Sequence, residues 1–190
     1  MSLPQPEITL GPDDYLAWEQ DQPCRNEYVD GKVFAKGGAS DAHGTAAGNL
    51  AALLHAALRG KPCRPFIADM KVHVETANSF FYPDIFVTCD PRDRAPEASH
   101  VKRHPVLIVE VLSPTTEACD RGNKFAAYRT LASLQEYVLV STEQRRVEVF
   151  RRDDTGHWVL YPFAADEEME LASVHFCCAV ADVFEGVEDQ

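Results

Sequence analysis

The chain lacks the features that would place it quickly. No apolar run approaches the roughly 20 residues that a membrane-spanning helix needs; Val106 to Leu112 is a typical stretch and stops far short. The N-terminal segment carries Glu7, Asp13 and Asp14 without a basic segment followed by an apolar one, which argues against a signal peptide and for a cytoplasmic protein. Six cysteines (Cys24, Cys63, Cys89, Cys119, Cys177 and Cys178) include no Cys-x-x-Cys pair, so neither a zinc site nor a disulfide framework is expected. Adjacent Cys177 and Cys178 are expected to point to opposite sides of a strand as small apolar residues. Seven histidines form no His-x-His or His-Glu-x-x-His motif, and there are no repeats or low-complexity tracts. Cations are scarce: 18 Lys and Arg stand against 30 Asp and Glu, a formal net charge of −12. That balance disfavours broad electrostatic binding of nucleic acid, although basic residues that converge locally, or a bound cation, can reverse the field at one site.

What is present reads as one globular α/β domain over residues 1–190. Its apolar fraction is 45%, and a chain of this size can bury roughly 70% of its unfolded surface without staples. Residues 1 to 8, with Pro4 and Pro6, read as an extended lead-in. Thr9 to Asp21 reads as a short helix, with Pro12 in its first turn and Asp13 and Asp14 at its positive end. Arg25 to Lys36 reads as a β-hairpin around Asp30-Gly31, a dipeptide that accepts the positive φ of a tight turn. Ser40 or Asp41 caps a helix running to about Gly60, in which His43, Ala47, Leu50 and Leu54 form a buried stripe. Cys63 to Glu75 and Phe80 to Cys89 read as strands separated by a turn at Ala77-Asn78-Ser79, and Asp90 to Arg103 as a mobile surface loop. Val106 to Leu112 is apolar on both faces, as in the middle of a covered sheet. A helix over Asp120 to Leu131 follows, then antiparallel strands at Glu136–Ser141, Arg146–Arg151 and Trp158–Tyr161. A short strand at 174–178 and a helical turn at 181–184 close a mixed α/β pattern with several antiparallel pairs.

Two carboxylates break the apolar pattern. Glu110 sits in Val-Leu-Ile-Val-Glu-Val-Leu and Asp84 in Phe-Phe-Tyr-Pro-Asp-Ile-Phe-Val. An isolated ionised carboxylate in such surroundings is costly, so each must be paired, protonated or metal-bound. Two acids at one sheet edge suit a magnesium ion, which takes one or two carboxylates and keeps several waters. The plainer alternative is a turn cap for Asp84 and an arginine partner for Glu110. Asp120, Lys124 and Tyr128 recur at four-residue steps, so they share a helical face that can bring an ammonium group to the acids. An ordinary Asp120–Lys124 surface ion pair is the alternative there.

A series of motifs ties these residues together in order. It comprises Arg25-Asn-Glu27-Tyr-Val-Asp-Gly31, His43, Tyr82-Pro-Asp84 and Val109-Glu110-Val-Leu-Ser113-Pro-Thr-Thr116, then Asp120, Lys124, Ala127-Tyr128-Arg129 and Leu134-Gln-Glu-Tyr137-Val-Leu-Val. Over residues 9 to 185 the chain resembles the Uma-type family of restriction endonucleases, within the PD-(D/E)XK nuclease superfamily. The resemblance implies a restriction-endonuclease-like mixed sheet flanked by helices, with an N-terminal helix and β-hairpin. It implies metal-assisted phosphodiester hydrolysis of nucleic acid, DNA above all. Asp84, Glu110 and the backbone carbonyl of Val111 would hold Mg2+ or Mn2+. Lys124 would supply the lysine, because Leu112 occupies the lysine position of the usual Glu-x-Lys. Glu27 matches an acidic position that contacts metal or water, while His43, Asp120 and Tyr128 line the site. A homodimer would suit cleavage of both strands of a duplex. The competing expectations are a catalytically inactive nuclease-fold module that binds nucleic acid or protein, and a hydrolase that uses His43 and the same acids on a small phosphate ester.

Overall fold

Pro12 fixes the φ of the first helical turn and Asp13 and Asp14 put negative charge at its positive end, so helix α1 runs over Pro12–Glu19, shorter at both ends than the expected Thr9 to Asp21, and buries Tyr15 and Glu19. The structure, a computed structural model, describes residues 9–188; the expected lead-in over residues 1 to 8 lies outside that range. Strands β1 (Asn26–Val29) and β2 (Lys32–Ala35) form the hairpin. Asp30 and Gly31 both hold positive φ, 46° and 91°, as the tight turn requires. Helix α2 (Asp41–Leu58) is capped by the Ser40 hydroxyl, which accepts the His43 amide. Its buried stripe is Ala42, Ala46, Leu50, Leu54 and Leu58. The expected stripe that starts at His43 is therefore corrected by one residue: small Ala42 and Ala46 take the core side, and His43 and Ala47 sit half-buried on the flank.

Each of the two long strands expected between residues 63 and 89 is broken in two. β3 (Arg64–Ile67) and β4 (Lys71–Val74) are parted at Ala68, whose φ of 35° turns the chain. β5 (Ser79–Phe81) and β6 (Ile85–Thr88) are parted at Tyr82-Pro83-Asp84, where the proline has no amide to offer a ladder. Asn78, at a φ of 44°, makes the expected turn between the two pairs. Residues 90 to 103, expected as a mobile loop, form two tight 3-10 turns and strand β7 (Val101–Lys102). Buried Asp93 organises this segment by accepting from the Thr88 hydroxyl and the Arg103 and His104 amides.

Strand β8 (Pro105–Leu112) is followed by helix α3 (Glu117–Cys119), a π turn (Asp120–Lys124) and helix α4 (Phe125–Tyr128). Strands β9 (Glu136–Ser141), β10 (Arg146–Arg152) and β11 (Trp158–Phe163) come next, then β12 (Glu168–Leu171), β13 (Phe176–Ala179) and α5 (Val180–Val183). β12 escaped the sequence reading because its charged half dominates, yet its alternation buries Met169 and Leu171. Cys177 is exposed and Cys178 buried, on opposite sides of β13.

The strands assemble into a six-stranded sheet ordered β11-β10-β9-β8-β6-β3, a five-stranded sheet ordered β2-β1-β5-β4-β7, and the β12-β13 pair. β8 pairs parallel with β9 and antiparallel with β6. Both faces of β8 are covered: Leu107, Val109 and Val111 meet the α2 stripe, while Ile108 and Leu112 join Val72, Phe81, Tyr128 and Tyr137 on the other side. That double burial explains its continuous apolar sequence. β3 and β6 pair antiparallel with Arg64 opposite Thr88, and a disulfide joins Cys63 to Cys89 one step further along. The expectation of unbridged cysteines is thereby corrected. Spacing rules catch local pairs, whereas this one is brought together across 26 residues by strand register.

Candidate active site

Strand alternation puts Glu110 on the same side of β8 as Ile108 and Leu112, facing α4. The residue is 2% exposed, and its carboxylate accepts from the Tyr128 hydroxyl at 3.0 Å and lies 3.4 Å from Lys124 Nζ. Asp84, 8% exposed, follows the Pro83 break at the head of β6. Its Oδ2 accepts the Val111 amide at 2.9 Å and lies 3.3 Å from His43 Nε2, and its Oδ1 accepts from Lys36 Nζ at 3.0 Å. The π turn carries Asp120 and Lys124 inward rather than onto the surface, so the surface ion pair weighed for them does not form; both are buried. Lys124 Nζ sits 3.0 Å from Glu27 Oε1 and 3.4 Å from Asp120 Oδ1. Glu27 in turn accepts the Tyr82 amide, which ties the hairpin to the Pro83 corner. Asp120 Oδ1, although close to Lys124, receives no hydrogen bond, and neither does the buried Nδ1 of His43.

All seven residues singled out from the sequence thus fall in one neighbourhood. Six of them (Glu27, His43, Asp84, Glu110, Asp120 and Lys124) line a single cavity of about 430 Å³, with Tyr128 behind Glu110. Lys36 was not anticipated. Its ammonium donates to both Asp84 and the Tyr82 carbonyl. The hairpin register pairs Glu27 with Phe34, so Lys36, two residues on, shares the face of Glu27; the turn at Asp30-Gly31 was the signal that could have found it.

Electrostatics divide the two acids. Burial pushes Asp84 up, but the His43 hydrogen bond, the Lys36 ammonium and the Val111 amide outweigh it and hold the carboxyl well below the usual range. Glu110 is pushed up to about 8 by burial and by the nearby Asp84, Asp120 and Glu27 carboxylates, against the pull of Lys124. Lys124 is desolvated too, yet Glu110, Glu27 and Asp120 together drive its ammonium well above the ordinary lysine value. Among the described residues, no three His, Cys, Asp or Glu side chains converge as metal ligands. The donor set nevertheless suits a hard cation. Four buried or half-buried carboxylates face two ammonium groups, and Asp120 keeps an oxygen without a hydrogen bond.

The mixed sheet with flanking helices forms a restriction-endonuclease-like nuclease fold, with the cluster where its inner strands β6 and β8 adjoin. The fold matches, with a TM-score of 0.79 and 16% identity, the crystal structure titled as a putative nuclease belonging to DUF820 from Anabaena variabilis ATCC 29413, covering 94% of this chain and 99% of that one. The chain belongs to the Uma2 family, whose model, described as "Putative restriction endonuclease", matches residues 12–181. Two proteins of Synechocystis sp. (strain ATCC 27184 / PCC 6803 / Kazusa) are similar along most of their length. One, slr1290, is 37% identical over 94% of this chain and 93% of its own; the other, sll1609, is 31% identical over 77% and 83%.

Proposed function

We propose that the protein is a metal-dependent phosphodiester hydrolase acting on nucleic acid, with DNA as the substrate form. The observation that carries this reading is the excess of buried carboxylate around Asp84 and Glu110, in a cavity that also holds Lys124 and Lys36. Asp84, Glu110 and the carbonyl of Val111 would hold Mg2+ or Mn2+; strand geometry sends that carbonyl out on the side where the Val111 amide meets Asp84. Bound there, the ion would lower the pKa of a water and stabilise charge on the phosphoryl oxygens.

The chain's own residues do the rest. Lys124, charged and held by Glu27, Glu110 and Asp120, is pre-placed where negative charge develops on the phosphate, and such groups are worth about 10²- to 10³-fold in rate. Tyr128 fixes the Glu110 rotamer by donating to it. Lys36 and His43 hold Asp84 ionised. Asp84→Ala or Glu110→Ala is expected to abolish magnesium-dependent cleavage of plasmid and oligonucleotide substrates while circular dichroism stays that of the folded protein. Cleavage at the wild-type rate in either variant would remove the assignment.

One observation favours a second reading, a nuclease-fold binding module without catalysis: Lys36 and Lys124 already engage the two acids. Calorimetry with magnesium and manganese separates the two readings, since the module would bind neither ion specifically.

A further inference from the structure

We propose that the site accepts an unpaired nucleic-acid strand, and that a groove between the outer face of α2 and the end of β3 holds the base beside the attacked phosphate. This inference rests on the hydrolase reading above. Asp84 and Glu110 lie on the floor of the cavity rather than on a surface, so the reacting phosphate must descend to them. Ala51 and Ile67 line that cavity and also a second hollow of about 480 Å³, so the two adjoin. The second hollow is walled by Ala52, His55, Pro65, Phe66, Asp69 and Met70, and neither a lysine nor an arginine lines it. Phosphates would find neither a lysine nor an arginine there and would meet the Asp69 carboxylate beside the His55 imidazole, whereas the flat faces of unstacked bases find apolar surface, including Ile67, which is 59% exposed. A duplex keeps those faces stacked inside and presents only its charged backbone.

The helix wall adds an independent observation. Gly44, Gly48 and Ala52 are exposed in succession along α2, so no side chain longer than a methyl group rises from this row. A Cβ added at Gly44 or Gly48 would meet nothing within 4 Å. Packing within the protein therefore does not require glycine at either position, and glycine inside a helix is less stable than alanine. Both glycines border the carboxylate cavity. The open space is best explained by a ligand that lies against the helix backbone.

The test is fluorescence anisotropy of the full chain in calcium buffer with three probes: a short labelled thymidylate strand, that strand annealed to its complement, and a strand of equal length carrying abasic residues. The thymidylate strand is expected to bind about tenfold or more tightly than the other two, the scale of stacking one base. Gly48→Leu and Ile67→Ser should each erase that preference, and Gly48→Ala should raise the Tm by about 1–4 °C. Equal binding of duplex or abasic strand, or wild-type preference in Gly48→Leu, would overturn the proposal. So would a wild-type dimer that Ile67→Ser turns into a monomer by light scattering, which assigns the groove to a second copy of the chain. Magnesium-dependent cleavage run in parallel keeps the two readings apart. Cleavage that is indifferent to strandedness and survives Gly48→Leu overturns this inference alone, while absence of both binding and cleavage for every probe overturns the hydrolase reading with it.

Discussion

Glu110 shows how one side chain can oppose the fold that contains it. Its pKa is raised from an ordinary 4.5 to about 8, first by burial and then by neighbouring carboxylates. The folded state therefore binds the proton more tightly than the unfolded chain does. Stability linked to this group is fully present below about pH 4.5 and is lost as pH rises toward 8. In metal-free buffer, Glu110→Gln should melt above the wild type at pH 8, with the gap closing as pH falls toward 4.5; a gap that is constant with pH would contradict the protonation argument. The same residue was legible in the sequence because a lone charge in an apolar strand has few bland explanations. Lys36 was not, since a lysine at a hairpin end is unremarkable until the register puts it on the face of Glu27 and the fold brings Asp84 to its tip. Asp120 and Lys124 were legible as a shared helical face, but not the π turn that carries both into the interior.

At the scale of elements, the sequence revealed which segments are extended but not where they change sheets. β3 and β6 belong to the six-stranded sheet, while β4 and β5, their direct continuations, belong to the five-stranded one. Burial is unbroken from Ser79 to Thr88 and gives no sign of the second crossing, so the backbone turn at Ala68 and the missing amide of Pro83 are what mark the switch. The Cys63–Cys89 link fastens β3, the edge strand of the larger sheet, to β6. Closing a loop of this length removes enough freedom from the unfolded chain to stabilise the fold by about 3 kcal/mol. Urea unfolding with and without reductant should therefore show a lower midpoint for the reduced protein, and the Cys63→Ala/Cys89→Ala variant should match it. Coincident midpoints would mean that the link contributes nothing. The segment 90–103 teaches a related lesson. Polar composition and two prolines suggested looseness, but one buried aspartate with three donors suffices to order it.

For the whole molecule, net charge sets the terms of any encounter with nucleic acid. Many cations are spent internally: Arg121 on Glu117 and Glu148, Arg151 on Glu136, Arg25 on Asp69 and Arg92 on Asp90. With −12 overall, little remains for a wide phosphate footprint. The slope of log affinity against log salt is expected to be shallow, about −2 or less in magnitude, since each neutralised phosphate contributes about −0.7 on a single strand. An anisotropy titration across salt concentrations that returned a slope near −6 would point instead to an extended basic surface. The fold class itself was legible because the central strand, the hairpin turn and the capped helix each carry local chemistry that admits few alternatives.

The corner where both chain crossings meet has a consequence for how such a protein can vary. The Ala68 amide donates to the carbonyl of Asp84, so the residue that offers its carboxylate to the cavity also supplies the backbone joint between the two layers. A residue gained or lost between Ile67 and Lys71, or between Phe81 and Ile85, would turn every later side chain of that strand to the opposite face. Chain length is frozen at this joint, and drift in size must be absorbed elsewhere, as in the tight turn at Asp153–Gly156, where the backbone closes on itself.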